Sequence, residues 1–220
     1  GSITRASGYA KLTQGRYQIL LDREGHLTVW DILRGTVIAD HQIGPQPSMI
    51  RLGAMITDGR LLVLLNDKED LSNAGTLRRP ANSRSIIVQL ADRIFAISLD
   101  DGDIDWKRDL KSRWHVTITH PAVTPIVVLV KPYSYFDQPR VSHRELDVQV
   151  LDIKSGETLH KREGKTVVGQ NPQVQCDIRL LPFLDQVLVN IGLERLRYSF
   201  GVEEEAPSEE SDAEAASKEE

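Results

Sequence analysis

The sequence predicts an all-β protein assembled from diverged repeats of antiparallel sheet, and three observations carry that expectation. Short apolar runs of alternating or continuous character recur along the chain, bounded by Gly, Asp, Asn and Pro, which is the pattern of strands and turns. Helical periodicity is scarce. Three segments align with one another without gaps around a turn glycine, and a repeat of that kind governs the architecture.

Taken in order, Tyr17 to Leu21 and Leu27 to Ile32 flank Asp22-Arg23-Glu24-Gly25, a turn with Gly where positive φ is needed, and read as a hairpin. Ile50 to Ile56 and Arg60 to Leu65 flank Thr57-Asp58-Gly59 in the same manner. Ile86 to Leu90 and Ile94 to Leu99 surround Ala91-Asp92-Arg93, read as a further turn. Val123 to Val130 is a β-branched run ended by Lys131-Pro132, and Leu146 to Ile153 alternates. Ile178 to Phe183, Gln186 to Ile191 and Arg195 to Phe200 close the series as a meander.

The repeat joins Leu27–Val37, Ile94–Ile104 and Val148–Thr158. Each copy has an alternating strand, an Asp or Ser four residues before a Gly, an aliphatic residue three before it, and a second strand after it. Asp31, Ser98 and Asp152 are placed to satisfy turn amides, and Gly35, Gly102 and Gly156 to accept the left-handed backbone that ends the turn. The aliphatic residue anchors the turn to the core. Trp106, four residues past Gly102, is placed to pack between adjacent sheets. The glycines are 67 and 54 residues apart, longer than the roughly 40 to 50 of compact propeller repeats, so insertions are expected. Asn66 to Ser85 is polar and reads as a loop; Lys131 to Arg144 reads as a second, aromatic-rich one.

Asp92-Arg93-Ile94-Phe95-Ala96-Ile97-Ser98-Leu99-Asp100-Asp101-Gly102-Asp103-Ile104-Asp105-Trp106 resembles the repeat of quinoprotein-like (PQQ-like) β-propellers, the group that includes the outer-membrane assembly propeller lipoprotein. Leu151 to Glu157 carries the same signature without the tryptophan, and Leu27 to Gly35 also resembles a WD-repeat ending through Trp30-Asp31. The resemblance spans most of residues 17 to 200 as a pattern, with three sharp motifs. It implies β-propeller-type blades of four-stranded antiparallel sheets around an axis. The strands number some twelve to fourteen, enough for a partial ring of about three to four blades. Residues 1–16, opening Gly1-Ser2 without a Met, read as a tag scar and lead-in strand, 17–201 as the blades, and the whole as the C-terminal portion of a longer repeat protein.

Composition narrows the function. The 220 residues are 40% hydrophobic and 27% charged with a formal net charge of −5, ordinary for a globular chain. Residues 202–220 hold nine acidic residues and one lysine, which leaves the body at +3. Those last residues have little to bury, the composition of an acidic disordered tail. A body charge of +3 is small for a nucleic-acid partner, where phosphate neutralisation supplies most of the affinity. No run approaches the ~18 apolar residues of a membrane span, and no signal peptide opens the chain.

No catalytic, cofactor-binding or metal-binding residues are assigned. The lone Cys176 excludes an intrachain disulfide and the vicinal cysteine pair of quinone-dependent relatives, and reads as a small buried hydrophobe. Asp100-Asp101-Gly102-Asp103-Ile104-Asp105 invites calcium, yet the EF-hand spacing fails: Trp106 stands where Gly is required and Ser112 where a bidentate Glu is expected. His115 and His120 fall on opposite faces of an extended segment, about 17 Å apart, too far to share a metal. No nucleophile elbow, Walker loop or zinc-protease motif occurs.

The expectation is therefore a non-catalytic protein-interaction or scaffolding module, its partner a protein or the remainder of its parent chain. Tyr133, Tyr135, Phe136, Arg140 and Arg144 are its candidate contact residues, because aromatics beside arginines dominate protein interfaces. Two alternatives stay open: a partial or degenerate quinoprotein dehydrogenase whose cofactor ligands lie in missing blades, and a WD-type scaffold. The resemblance tilts localisation toward outside the cytoplasm, periplasmic or secreted.

Overall fold

The computed structural model describes residues 4–6, 9–46, 49, 51–66, 77–78, 86–119, 125–138, 141–166, 174–191 and 194–199. The described residues form sixteen strands. The first sheet is a meander of β1 (Thr4–Ala6), β2 (Tyr9–Gln14), β3 (Tyr17–Asp22), β4 (His26–Asp31) and β5 (Thr36–Gln42) in sequence order. The predicted hairpin at Asp22 to Gly25 is there, with Gly25 donating to Asp22 O and a φ of +86°.

The second hydrogen-bonded sheet contains β6 (Arg51–Thr57), β7 (Arg60–Asn66), β9 (Ile86–Ser98), β10 (Ile104–Thr119), β11 (Ile126–Gln138), β12 (Val141–Asp152) and β13 (Thr158–Thr166), with β6 and β13 at its edges. It divides into two units inside β9 and β10. Their ladder pairs Ile104 to Asp109 with Ile97 to Arg93, shifts, and resumes with Trp114 to Thr119 against Ala91 to Ile86. β7 pairs with β9 only over residues 93–98, and β10 pairs with β11 only over residues 115–117. One half of β10 therefore closes the four-stranded unit β6-β7-β9-β10, and its other half, flanked by residues 86–91 of β9, leads into the unit β10-β11-β12-β13. The fourth unit is β14 (Val174–Leu181), β15 (Gln186–Ile191) and β16 (Glu194–Ser199), the expected meander, with β8 (Leu77–Arg78) parallel to β14 at its edge.

Among the described residues three cores lie between consecutive units, and the strand pattern shows why. β7 is buried over residues 61–66. Its Leu61, Val63 and Leu65 join residues of β2 to β5 in the first core, while Leu62 and Leu64 join Trp106, Trp114, Val127 and Leu129 in the second. β11 behaves alike: Val127 and Leu129 face the second core, and Ile126, Val128 and Val130 face the third with Ile178, Val187 and Val189. Continuous apolar runs are strands covered on both faces. By contrast β3 and β15 alternate strictly, as sheets covered on one face do. The described residues thus form an open series of four stacked, mostly antiparallel units, and among them the last sheet is not hydrogen-bonded to the first.

Two local readings are corrected. Ala91-Asp92-Arg93 is no turn: β9 runs through it, because Ala91 and Asp92 are buried and Ala91 pairs with Trp114. The chain there accommodates the boundary by a register shift in place of a reversal. The described part of Lys131 to Arg144 is no loop either, since β11 continues to Gln138 and pairs with β12 down to Gln138 and Val141. The aromatic residues favour a strand, and beyond Val130 the described part of β11 borders β12 alone, where Pro132 is tolerated. Of the other expected insertion, the described residues are Asn66, Leu77 and Arg78.

Candidate functional site

The three repeat turns are superposable in their bonding. Gly35, Gly102 and Gly156 each donate their amide to the carbonyl four residues earlier, on Asp31, Ser98 and Asp152, at 2.8, 3.1 and 3.0 Å. Their φ values are +66°, +84° and +71°. The side chain at the earlier position accepts turn amides in every copy: Asp31 Oδ1 from Leu33 and Arg34, Ser98 Oγ from Asp100, Asp152 Oδ1 from Lys154 and Ser155. The aliphatic residue anchors through its backbone, as Ile32, Leu99 and Ile153 donate to Arg16 O, Gly59 O and Pro125 O at 2.8 to 2.9 Å. Asp31 is the most enclosed of the set. Its carboxylate has no exposed surface, and Oδ2 lies 3.1 Å from Arg16 Nε without a well-aligned hydrogen bond.

The Gly102 and Gly156 turns are each met by the outermost strand of the preceding unit, at a fixed offset from that unit's own glycine. Four residues beyond Gly102, Trp106 lies against Gly156: a Cβ there would sit 2.6 Å from the indole Cγ. Trp106 Nε1 donates to Ile153 O at 2.8 Å. Four residues beyond Gly35, the Ala39 Cα stands 3.5 Å from where a Gly102 Cβ would be, and that Cβ would overlap Ile38 O. Six residues beyond, the donor is cationic or imidazole: Arg108 Nη1 donates to Gly156 O at 3.0 Å, and His41 Nε2 to Gly102 O at 2.7 Å. Arg108 Nη2 adds a bond to Thr158 Oγ1.

The Gly35 turn is the exception among the three. Among the described residues nothing lies within 4 Å of the place of its Cβ, and no side chain donates to its carbonyl. Around it Trp30, Ile32, Leu33 and Val37 are 40%, 50%, 79% and 47% exposed, and Trp30 and Val37 are register partners. The residues equivalent to Trp30 are Ile97 and Leu151, both fully buried, and Ile153, equivalent to Ile32, is buried too. The anchoring expected of an aliphatic side chain thus fails at Ile32, which no strand among the described residues covers. Sequence reasoning missed this cluster, although Leu33, standing where the other copies have Asp100 and Lys154, was a visible signal.

The other candidates are placed as follows. The register sets Tyr133 opposite Glu145, Tyr135 opposite His143, Phe136 opposite Ser142, and Arg144 opposite Ser134; Arg140 lies outside the described residues. Asp101 Oδ1 accepts the Asp103 amide at 3.0 Å, which holds its carboxyl below the usual range. Asp105 pairs with Arg60 at 2.7 Å. Among the described residues no three His, Cys, Asp or Glu side chains come together as a metal site requires, and no helix is long and apolar enough to cross a membrane. Cys176 is buried in the third core, where loss of solvent pushes its thiol up to about 12.

No protein-family model and no curated protein matches the chain. Among solved structures it is similar to the computationally designed Ika4 protein, at 17% identity over 90% of this chain and 94% of that one, with a TM-score of 0.41. It is also similar to the Swd1 β-propeller domain of Myceliophteria thermophila, at 9% identity, 86% of this chain and a TM-score of 0.31. BamB from Moraxella catarrhalis follows at 10% identity, 90% of this chain and a TM-score of 0.28. The chain spans 64% and 60% of the latter two, less than two thirds of each. By its own repeated turns and face-to-face sheets, the protein is an all-β series of β-propeller-type blades.

Proposed function

We propose that this chain is a non-catalytic protein-interaction module built from PQQ-like propeller repeats. The observation that carries the reading is the exposed apolar cluster of Trp30, Ile32, Leu33 and Val37 at a turn whose two equivalents are covered. Clustered exposed apolar surface of this kind marks association sites. The turn carboxylates Asp31, Asp101 and Asp152 already accept amides of their own turns, so the repeat chemistry is accounted for by architecture. The paired extension of β11 and β12 that carries Tyr133, Tyr135, Phe136 and Arg144 is proposed, together with Arg140 of the sequence, as a second contact surface.

Crosslinking of the full chain in an extract of its source cells tests this, with wild type compared against Ile32→Asp and against a Tyr133→Ala, Tyr135→Ala, Phe136→Ala triple variant. The expected result is a set of crosslinked partners that each variant diminishes while circular dichroism is unchanged. Associations identical in all three proteins would remove the reading.

A further inference from the structure

We infer that the uncovered turn of the first sheet is a receptor for one extended strand from another chain, of definite chemistry: an aromatic or aliphatic side chain followed two residues later by Arg or His. This rests on the interaction-module reading and names the partner element for that site. The chemistry comes from the molecule's own two filled examples. At Gly156 the occupant is Trp106 with Arg108, and at Gly102 it is Ala39 with His41. At Gly156 the indole of Trp106 closes over the glycine, at Gly102 the backbone of Ile38 and Ala39 does, and in both the later residue donates to the glycine carbonyl. Gly35 presents the same left-handed turn, the same open glycine surface and a carbonyl that no described side chain reaches.

The rest of the first sheet restricts the occupant to a strand. Where the second unit offers Leu61, Val63, Leu65 and Ile97 to its predecessor, the first offers Lys11, Thr13, Gln18 and Thr28 at the corresponding alternate positions, and only Leu20 and Trp30 are large and apolar. A whole sheet stacked there would bury polar side chains without partners. The exposed apolar residues are Trp30 and Val37, register partners on β4 and β5, with the adjoining Ile32 and Leu33, a narrow strip beside the turn.

The probe is a fluorescein-labelled peptide of this protein's own outer strand, Asp103 to Leu110, which carries Trp106 and Arg108, titrated with the full chain by fluorescence anisotropy. Saturable binding is expected below about 1 mM. It should weaken about tenfold or more with Ile32→Asp or Gly35→Ala in the protein, and with Trp106→Ala in the peptide. Ile32 is half exposed, so Ile32→Asp should fold, and Gly35→Ala obstructs the same place by an independent route. Absence of saturation, or equal binding by the variants, overturns the proposal. Should Ile32→Asp still abolish crosslinked partners while the peptide fails to bind, the module stands and the strand receptor falls. If sedimentation shows self-association that Ile32→Asp abolishes and the peptide does not compete, the surface joins two copies and the proposal is overturned.

Discussion

The indole of Trp106 occupies the space above Gly156 that any side chain there would need, with its Nε1 bonded to Ile153 O. Two consecutive units are thereby joined through a residue 50 positions from its partner glycine. This contact separates the roles of the repeat glycines.

Gly156→Ala meets both a left-handed backbone and the indole, whereas Gly35→Ala meets the backbone alone. The left-handed penalty is about 1–2 kcal/mol, and overpacking adds roughly 1–3 kcal/mol. Urea unfolding should rank Gly156→Ala below Gly35→Ala in stability; the reverse order would contradict the packing described.

Trp106→Phe keeps most of the ring area but removes the donor to Ile153 O, a cost of about 1–3 kcal/mol for a buried acceptor left without its bond. Trp106→Ala should cost about 3–5 kcal/mol. Chemical denaturation of both variants checks the difference, which assigns the share due to the hydrogen bond.

Asp31→Ala should destabilise more than Asp152→Ala. Both carboxylates accept two turn amides, but Asp31 is wholly enclosed beside Arg16, while Asp152 is partly exposed to water, which replaces it in the variant. The expected cost is about 1–3 kcal/mol for Asp31 and no more than about 1 kcal/mol for Asp152.

Cys176 should resist thiol reagents in the native protein even at a pH where a free thiol ionises. Burial raises its folded value from about 9 to about 12, so the native state holds the proton longer than the unfolded chain. That contribution to stability is complete below pH 9 and is lost as the pH rises towards 12. Ellman's reagent at pH 9.5 should label the thiol at the rate of unfolding, and denaturant should accelerate it; fast labelling of the native protein would place the thiol elsewhere.

Much of this was legible in the residues. Asp or Ser four before Gly encoded the turns, since a short acceptor and a left-handed residue are local requirements that few other residues meet. Trp106 was legible as an inter-sheet group because nothing local needs an indole there. The errors came where tertiary context overrode local signals. Asp92 looked like a turn residue, yet it lies in a continuous strand, because the ladder shift fixes the chain there and β10 supplies partners on either side of it. Tyr133-Ser134-Tyr135-Phe136 looked like an insertion loop because Pro132 precedes it, and only the pairing with β12 reveals a strand. The exposed cluster at Gly35 was least visible, because exposure depends on what stacks beside a turn and the repeat alone makes all three turns look alike.

The division of the seven-stranded ladder inside β10 has a consequence for how the molecule opens. The last strand of the second unit and the first strand of the third are one uninterrupted run from Ile104 to Thr119. These two units cannot part without bending or unpairing that shared strand. Residues 93–98 and 115–117 should therefore exchange their amide hydrogens through one concerted opening, with a common free energy near the global value, while the first and fourth units, each secured on a single face, release theirs earlier.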